Sequence, residues 1–187
     1  LVKPQAPDTW PNFDLDPKLT EDRYIQAVEV KPEPNSHVVV HHAVTTMVPG
    51  DDPGTQRGEF LNEYALGKNG DVFDEGTGRL MKAGSKIRMN VHFHSNGEDT
   101  PAKVSIGLKF YPKGYKPKYI IQNKLVGAQN LDIPPGATDV RNDAYFTLKK
   151  PAKLLLFQPH MHYRGKAMAL EAIYPDRRVE LLSYVPR

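Results

Sequence analysis

Alternation limits what this chain can fold into more than any other feature. In SKIRMNVHFH (85–94), Ile87, Met89, Val91 and Phe93 fall on one side of an extended backbone, and Lys86, Arg88, Asn90, His92 and His94 on the other. A period of two sustained this long marks a half-buried strand, because a helix repeats every 3.6 residues. KVSIGLKFY (103–111) repeats the pattern, with Val104, Ile106, Leu108 and Phe110 predicted inward. YIQAVEV (24–30), HVVVHHAVTTMV (37–48), AYFTL (144–148), KLLLFQPHMHY (153–163), AMALEAIY (167–174) and VELLSYV (179–185) read as further strands. Turn signals separate them, at PGDDPG (49–54), KNGD (68–71), EGTG (75–78), SNGEDTP (95–101) and PDRR (175–178). The chain's 17 Pro and 14 Gly suit many short strands rather than long helices. Residues 55–80 read as irregular, with a short helix predicted over 59–66.

These signals predict an all-β chain of antiparallel sandwiches. Residues 1–19, rich in Pro and Asp, are predicted to be an extended arm anchored by Trp10 and Phe13. One sandwich is expected over 20–113. A linker follows over 114–130, opening with the basic break KGYKPK, and a second sandwich begins over 131–187 after the Pro-Pro-Gly turn. The chain starts at Leu1 without a charged-then-apolar leader, so it reads as a mature or excised form.

Composition removes several functions. With no Cys there is no disulfide, thiolate nucleophile, Cys-bound zinc, iron–sulfur cluster, blue-copper site or covalent c-type haem. No apolar run is long enough to span a membrane as a helix. A net charge of +3 is too small and too diffuse to predict nucleic-acid binding. Nucleotide-binding loops, the G-x-S-x-G elbow and H-E-x-x-H are all missing. Arg164 and Lys166 read as solubilising charges rather than an anion site.

What remains is histidine. All seven fall into three groups: His37 with His41 and His42, His92 with His94, and His160 with His162. On a strand, residues i and i+2 point the same way, so His92/His94 and His160/His162 can each converge on one point. His41 and His42 are adjacent and face opposite sides of a regular strand. They can share a metal only across a bulge or through different ring nitrogens. The plainer alternative is a polar strand face of solvated imidazoles. Neutral nitrogen donors without thiolate suit copper cycling between Cu(I) and Cu(II), with zinc as competitor. Met89 and Met161 are expected to fill the core rather than ligate.

The order of HVVVHHAV (37–44), AGSKIRMNVHFHSNG (83–97), LDIPPG (131–136) and FQPHMHYRGKAM (157–168) resembles the copper type II, ascorbate-dependent monooxygenases. These are the relatives of peptidylglycine alpha-hydroxylating monooxygenase and dopamine beta-monooxygenase, and the resemblance is to their bacterial members. It covers about residues 20 to 187. It implies two jelly-roll-like sandwich domains, each holding one copper. By resemblance, His41, His42 and His92 ligate the electron-transfer copper. His160 and His162 ligate the copper that binds dioxygen, and are the catalytic pair. His94 becomes an outer partner or alternative ligand, and His37 lies outside the motif.

The family's Met ligand lies well downstream of the H-x-H, whereas no Met follows Met168 here. The second sandwich therefore reads as incomplete, with open edges that suit a protein partner. The implied activity is hydroxylation of a small-molecule or peptide C–H with dioxygen and an external one-electron donor, in a periplasmic or secreted setting. The alternative is a non-enzymatic copper-binding or structural sandwich subunit of a larger assembly.

Overall fold

The computed structural model describes residues 1–50, 58–127 and 131–186, and the chain divides into two compact units, Leu1–Asn123 and Lys124–Arg187. The described residues contain strands and no helix. None is long and apolar enough to cross a membrane as a helix. The division falls within the stretch 114–130. The turn expected at 49–54 lies mostly outside the described residues.

The first unit is built from two sheets. One has the order β1 (Asn12–Leu15), β7 (Lys86–Phe93), β3 (Val40–Val48), β4 (Glu59–Ala65), all antiparallel. In the other, β2 (Arg23–Pro32) pairs with β5 (Asp71–Val72), β6 (Thr77–Met81) and β8 (Val104–Phe110), and β9 (Tyr119–Ile120) runs parallel to β6. Apolar residues of both sheets share one interior. Ile25, Val28 and Met81 meet Met47, Leu61 and Ile87, and Val30 meets Val40, Ala43, Tyr64, Met89 and Val91. This is sheet packed on sheet, as the alternation requires.

β7 has the predicted facing, with Ile87, Met89 and Val91 buried. β8 alternates between half-buried and exposed, because it borders β2 alone and covers only part of the core. Met47, Met81 and Met89 are core residues.

Three local expectations are corrected. The helix predicted over 59–66 is strand β4. Its backbone pairs with β3, and a bulge opposite Thr45/Thr46 lets Leu61 and Asn62 both be buried. The strand expected from His37 begins at Val40, because residues 34–39 form turns, with Ser36 C=O accepting from Val39 and Val40 N–H. Of the stretch 55–80 expected to be irregular, the described residues 58–80 are more ordered than expected, since β5 and β6 give β2 its second edge.

The arm is also more than an arm. β1 extends the first sheet, and Thr9 and Val2 continue the pairing through bridges to Phe93 and Thr100.

In the second unit, β10 (Ala167–Ile173) and β11 (Val179–Pro186) form an antiparallel hairpin. Its turn closes as Tyr174 N–H donates to Arg178 C=O and Arg177 N–H donates to Tyr174 C=O, and Arg177 takes a positive φ of 69°. The strands expected at 144–148 and 153–163 are not formed. Tyr145, Leu148, Leu154, Leu155 and Leu156 are exposed. Strand-like sequence needs a neighbour to satisfy its backbone, and a lone hairpin is at best marginal.

Candidate metal centre

His42 and His92 lie directly opposite each other on β3 and β7. Both project from the outer face of the first sheet, away from the core. His41 joins them through a bulge. The β3–β7 register shifts between Val40 and His42, so two residues of β3 stand where a regular ladder has one. Val40 and Ala43 can then both be buried while His41 and His42 both face outward. The bulge that the adjacent pair needed is thus present.

The three rings pack as a cluster, with centroids 4.8 Å (His41–His92), 4.9 Å (His42–His92) and 5.3 Å (His41–His42) apart. One ring nitrogen from each lies within 4.8 Å of the others, and among the described residues this is the one such group of three or more His or carboxylate side chains. His41 is exposed, while His92 is only 9% exposed.

The donor set passes two further tests. First, Nδ1 of His41 and Nδ1 of His42 are 3.0 Å apart, a hydrogen-bond distance that is also short enough for both to reach one ion. Two nitrogens on one metal at bonds of about 2.0–2.1 Å stand about 3.3 Å apart in a tetrahedron and somewhat closer at smaller angles. Second, His92 Nδ1 is buried without a hydrogen-bond partner. Its other nitrogen, Nε2, faces Asp8 Oδ2 at 2.9 Å. An ionised carboxylate only accepts, so Nε2 carries the hydrogen and the lone pair of a neutral ring sits on Nδ1. A buried acceptor left unmatched costs about 1–3 kcal/mol. A metal ion would use that lone pair.

From Arg88 to His94, the polar face of β7 is engaged by the N-terminal segment, although Lys86 and His94 are exposed. Arg88 Nε and Nη2 donate to the two oxygens of Asp14 (2.8 and 2.9 Å). Asn90 Nδ2 donates to Trp10 C=O (2.9 Å) and Asn12 Oδ1 (3.0 Å). The Trp10 ring stacks on His92 with centroids 4.5 Å apart. His94 Nδ1 donates to Asp8 Oδ1 at 2.7 Å, so His94 shares the carboxylate that His92 uses. These bonds, His92 first and then His94, hold the Asp8 carboxyl below its ordinary pKa. Asp8 and Trp10 are the residues the sequence reading missed as parts of the site.

The remaining histidines lie elsewhere. His37 sits in the turn before β3, its Nδ1 against Pro34 C=O. His160 and His162 belong to the second unit. They are exposed, with rings edge-to-face at 5.1 Å, beside the turn that Gly165 N–H closes onto His162 C=O (2.8 Å). Met161 packs against that turn. A Cβ at Gly165 would stand 2.5 Å from Met161 Cβ, so only glycine fits. Among the described residues, no further His or carboxylate joins His160 and His162 in a ligand group.

No family model, curated protein or solved structure matches the chain.

Proposed function

We propose that the chain is a copper protein of the type II monooxygenase kind it resembles. In this reading His41, His42 and His92 hold an electron-transfer copper, and His160 and His162 hold the copper at which the substrate reacts. The two-sheet first unit then corresponds to one of that family's jelly-roll domains. The observation that carries the reading is the convergence of His41, His42 and His92, with the Nδ1 of His92 buried and unmatched. Bound copper would supply a one-electron centre cycling between Cu(I) and Cu(II) at the first site and dioxygen activation at the second.

The chain's own residues do the rest. The bulge at His41 brings adjacent imidazoles to one side. Three neutral nitrogens tolerate both copper charges without a thiolate. Asp8 keeps the His92 hydrogen on Nε2, and Trp10 covers one face of that ring. The exposed His160/His162 pair leaves room for a small molecule or a peptide end. The reaction is hydroxylation of a substrate C–H by dioxygen, one oxygen atom entering the product and the other leaving as water, with an external one-electron donor supplying two electrons and the solvent two protons per turnover, in the periplasm or outside the cell.

A second reading has its own support. His160 and His162 gather no third ligand group among the described residues. A non-enzymatic subunit with a single copper at the first site fits that observation, with the open edges of β10 and β11 as its protein-binding surface. Anaerobic copper loading, paramagnetic resonance and dioxygen uptake with ascorbate separate the two. Two nitrogen-rich type II signals with reductant-dependent dioxygen consumption support the enzyme. One signal with no consumption supports the subunit. No copper uptake, or zinc retained at both sites, refutes both.

A further inference from the structure

We propose that Asp8 is a positioning residue of the His41/His42/His92 centre, delivered by the N-terminal strand, and that Trp10 seated beside it reports occupancy of that centre. The inference rests on the metal reading of these histidines and adds residues that no ligand motif contains.

The Asp8 carboxylate accepts from His92 Nε2 and His94 Nδ1, one oxygen to each ring. That arrangement leaves one tautomer of neutral His92, with its lone pair on the buried Nδ1. Without Asp8, the ring hydrogen is free to move to Nδ1, which would block the ligand atom. The second bond, from His94, orients the carboxylate and takes the acceptor site that would otherwise let it rotate. Carboxylates that hold a ligating histidine in this way raise its basicity and fix its plane. The Trp10 ring, tilted only 22° from the imidazole, restrains the same plane from its face.

The placement of Asp8 does not depend on Asp8 itself. Asn12–Leu15 pairs with Ile87–Asn90, and the Thr9–Phe93 bridge keeps the same register. The Arg88–Asp14 pair and the Asn90 bond to Trp10 C=O hold the strand on one side of that bridge, and the Val2–Thr100 bridge holds it on the other. Removing the Asp8 carboxylate should therefore leave the strand in place and change only the ligand. Trp10 is the chain's single tryptophan, so its emission reads this spot alone.

The test uses the intact chain with Cu(II) and Zn(II) salts as probes. Wild type, Asp8→Asn, Asp8→Glu and Asp14→Asn are compared by competition titration, with Trp10 emission and the Cu(II) resonance spectrum recorded on the same samples. Asp14→Asn is the control for a loosened strand, because Asp14 holds the strand without touching a histidine ring. Asp8→Asn is expected to weaken both metals roughly 10- to 100-fold and to alter the nitrogen hyperfine pattern. Asp8→Glu should lie nearer wild type, and Asp14→Asn should stay within about threefold of it. In wild type, Cu(II) should quench Trp10 and Zn(II) should not.

Equal losses in Asp8→Asn and Asp14→Asn, or unchanged binding in Asp8→Asn, overturn the positioning role while leaving the metal site standing. Wild type that binds neither metal, or binds Cu(II) with Trp10 unquenched, overturns the metal reading itself.

Discussion

His41→Ala separates ligand chemistry from folding more cleanly than any other single change. His41 is exposed and is the extra residue of the β3 bulge, so alanine keeps the residue count and the register of β3 on β7. Removing an exposed side chain of this kind should change stability by no more than about 0.5 kcal/mol. Its effect on metal should be large. Four-ligand structural zinc sites gain about 10–16 kcal/mol, which assigns about 3 kcal/mol to one ligand. At 1.4 kcal/mol per decade, that is roughly a 100-fold rise in Kd. A copper concentration 100 times the wild-type Kd should stabilise wild type by about 2.7 kcal/mol and the variant by only about 0.4 kcal/mol. Competition titration gives the first quantity, and thermal unfolding with and without copper gives the second. Affinity within about threefold of wild type would show that the cluster is a packed group of imidazoles rather than a ligand set. A large drop in metal-free stability would show that the His41 ring holds the bulge itself.

Other consequences reach into the fold. Met89→Ala, at a site 2% exposed between the sheets, should cost about 2–5 kcal/mol in urea unfolding. Thr45→Val removes a hydroxyl that donates to Asn62 C=O (2.8 Å) and accepts from Asn62 N–H (3.1 Å) in the buried β3–β4 bulge, and should cost about 1–3 kcal/mol by the same measurement. Asp8 and Asp14 have carboxyls held below the ordinary aspartate value of about 3.8, by hydrogen bonds from His92 and Arg88 respectively. Their grip on the sheet is thus fully present above about pH 3.8 and is lost as pH falls through their lower folded values. Trp10 emission should report the strand releasing in that acid range, and Asp14→Asn should flatten the response.

The all-β class was legible because alternation is local: β7 and β8 each announce their own faces. The three histidines of the cluster were legible because all seven histidines fall in three groups and a family resemblance picked out His41, His42 and His92, and the condition on His41 and His42 followed from backbone geometry alone. Asp8 and Trp10 were not legible as site residues, because Asp8 meets His92 across 84 residues of sequence and no local pattern encodes that pairing. A weak signal did exist. NFDL (12–15) alternates over four residues, which hints at an edge strand rather than a loose arm. EFLNEYAL (59–66) misled because its apolar residues, Phe60, Leu61, Tyr64 and Leu66, mix helical and strand spacing. The bulge opposite Thr45/Thr46 is what breaks its alternation. In the second unit, Leu154, Leu155 and Leu156 have strand composition, yet a strand forms only against a neighbour, and composition cannot supply one.

Equilibrium copper titration of the intact chain, beside a variant with His41, His42 and His92 all changed to Ala, tests the metal centre most directly. In wild type one copper equivalent should bind at this centre, with its own nitrogen-rich type II Cu(II) signal and quenched Trp10 emission, and the triple variant should lose that equivalent, that signal and the quenching while any copper at His160 and His162 stays. Wild type that takes up no copper, or a triple variant that keeps that equivalent, would contradict this.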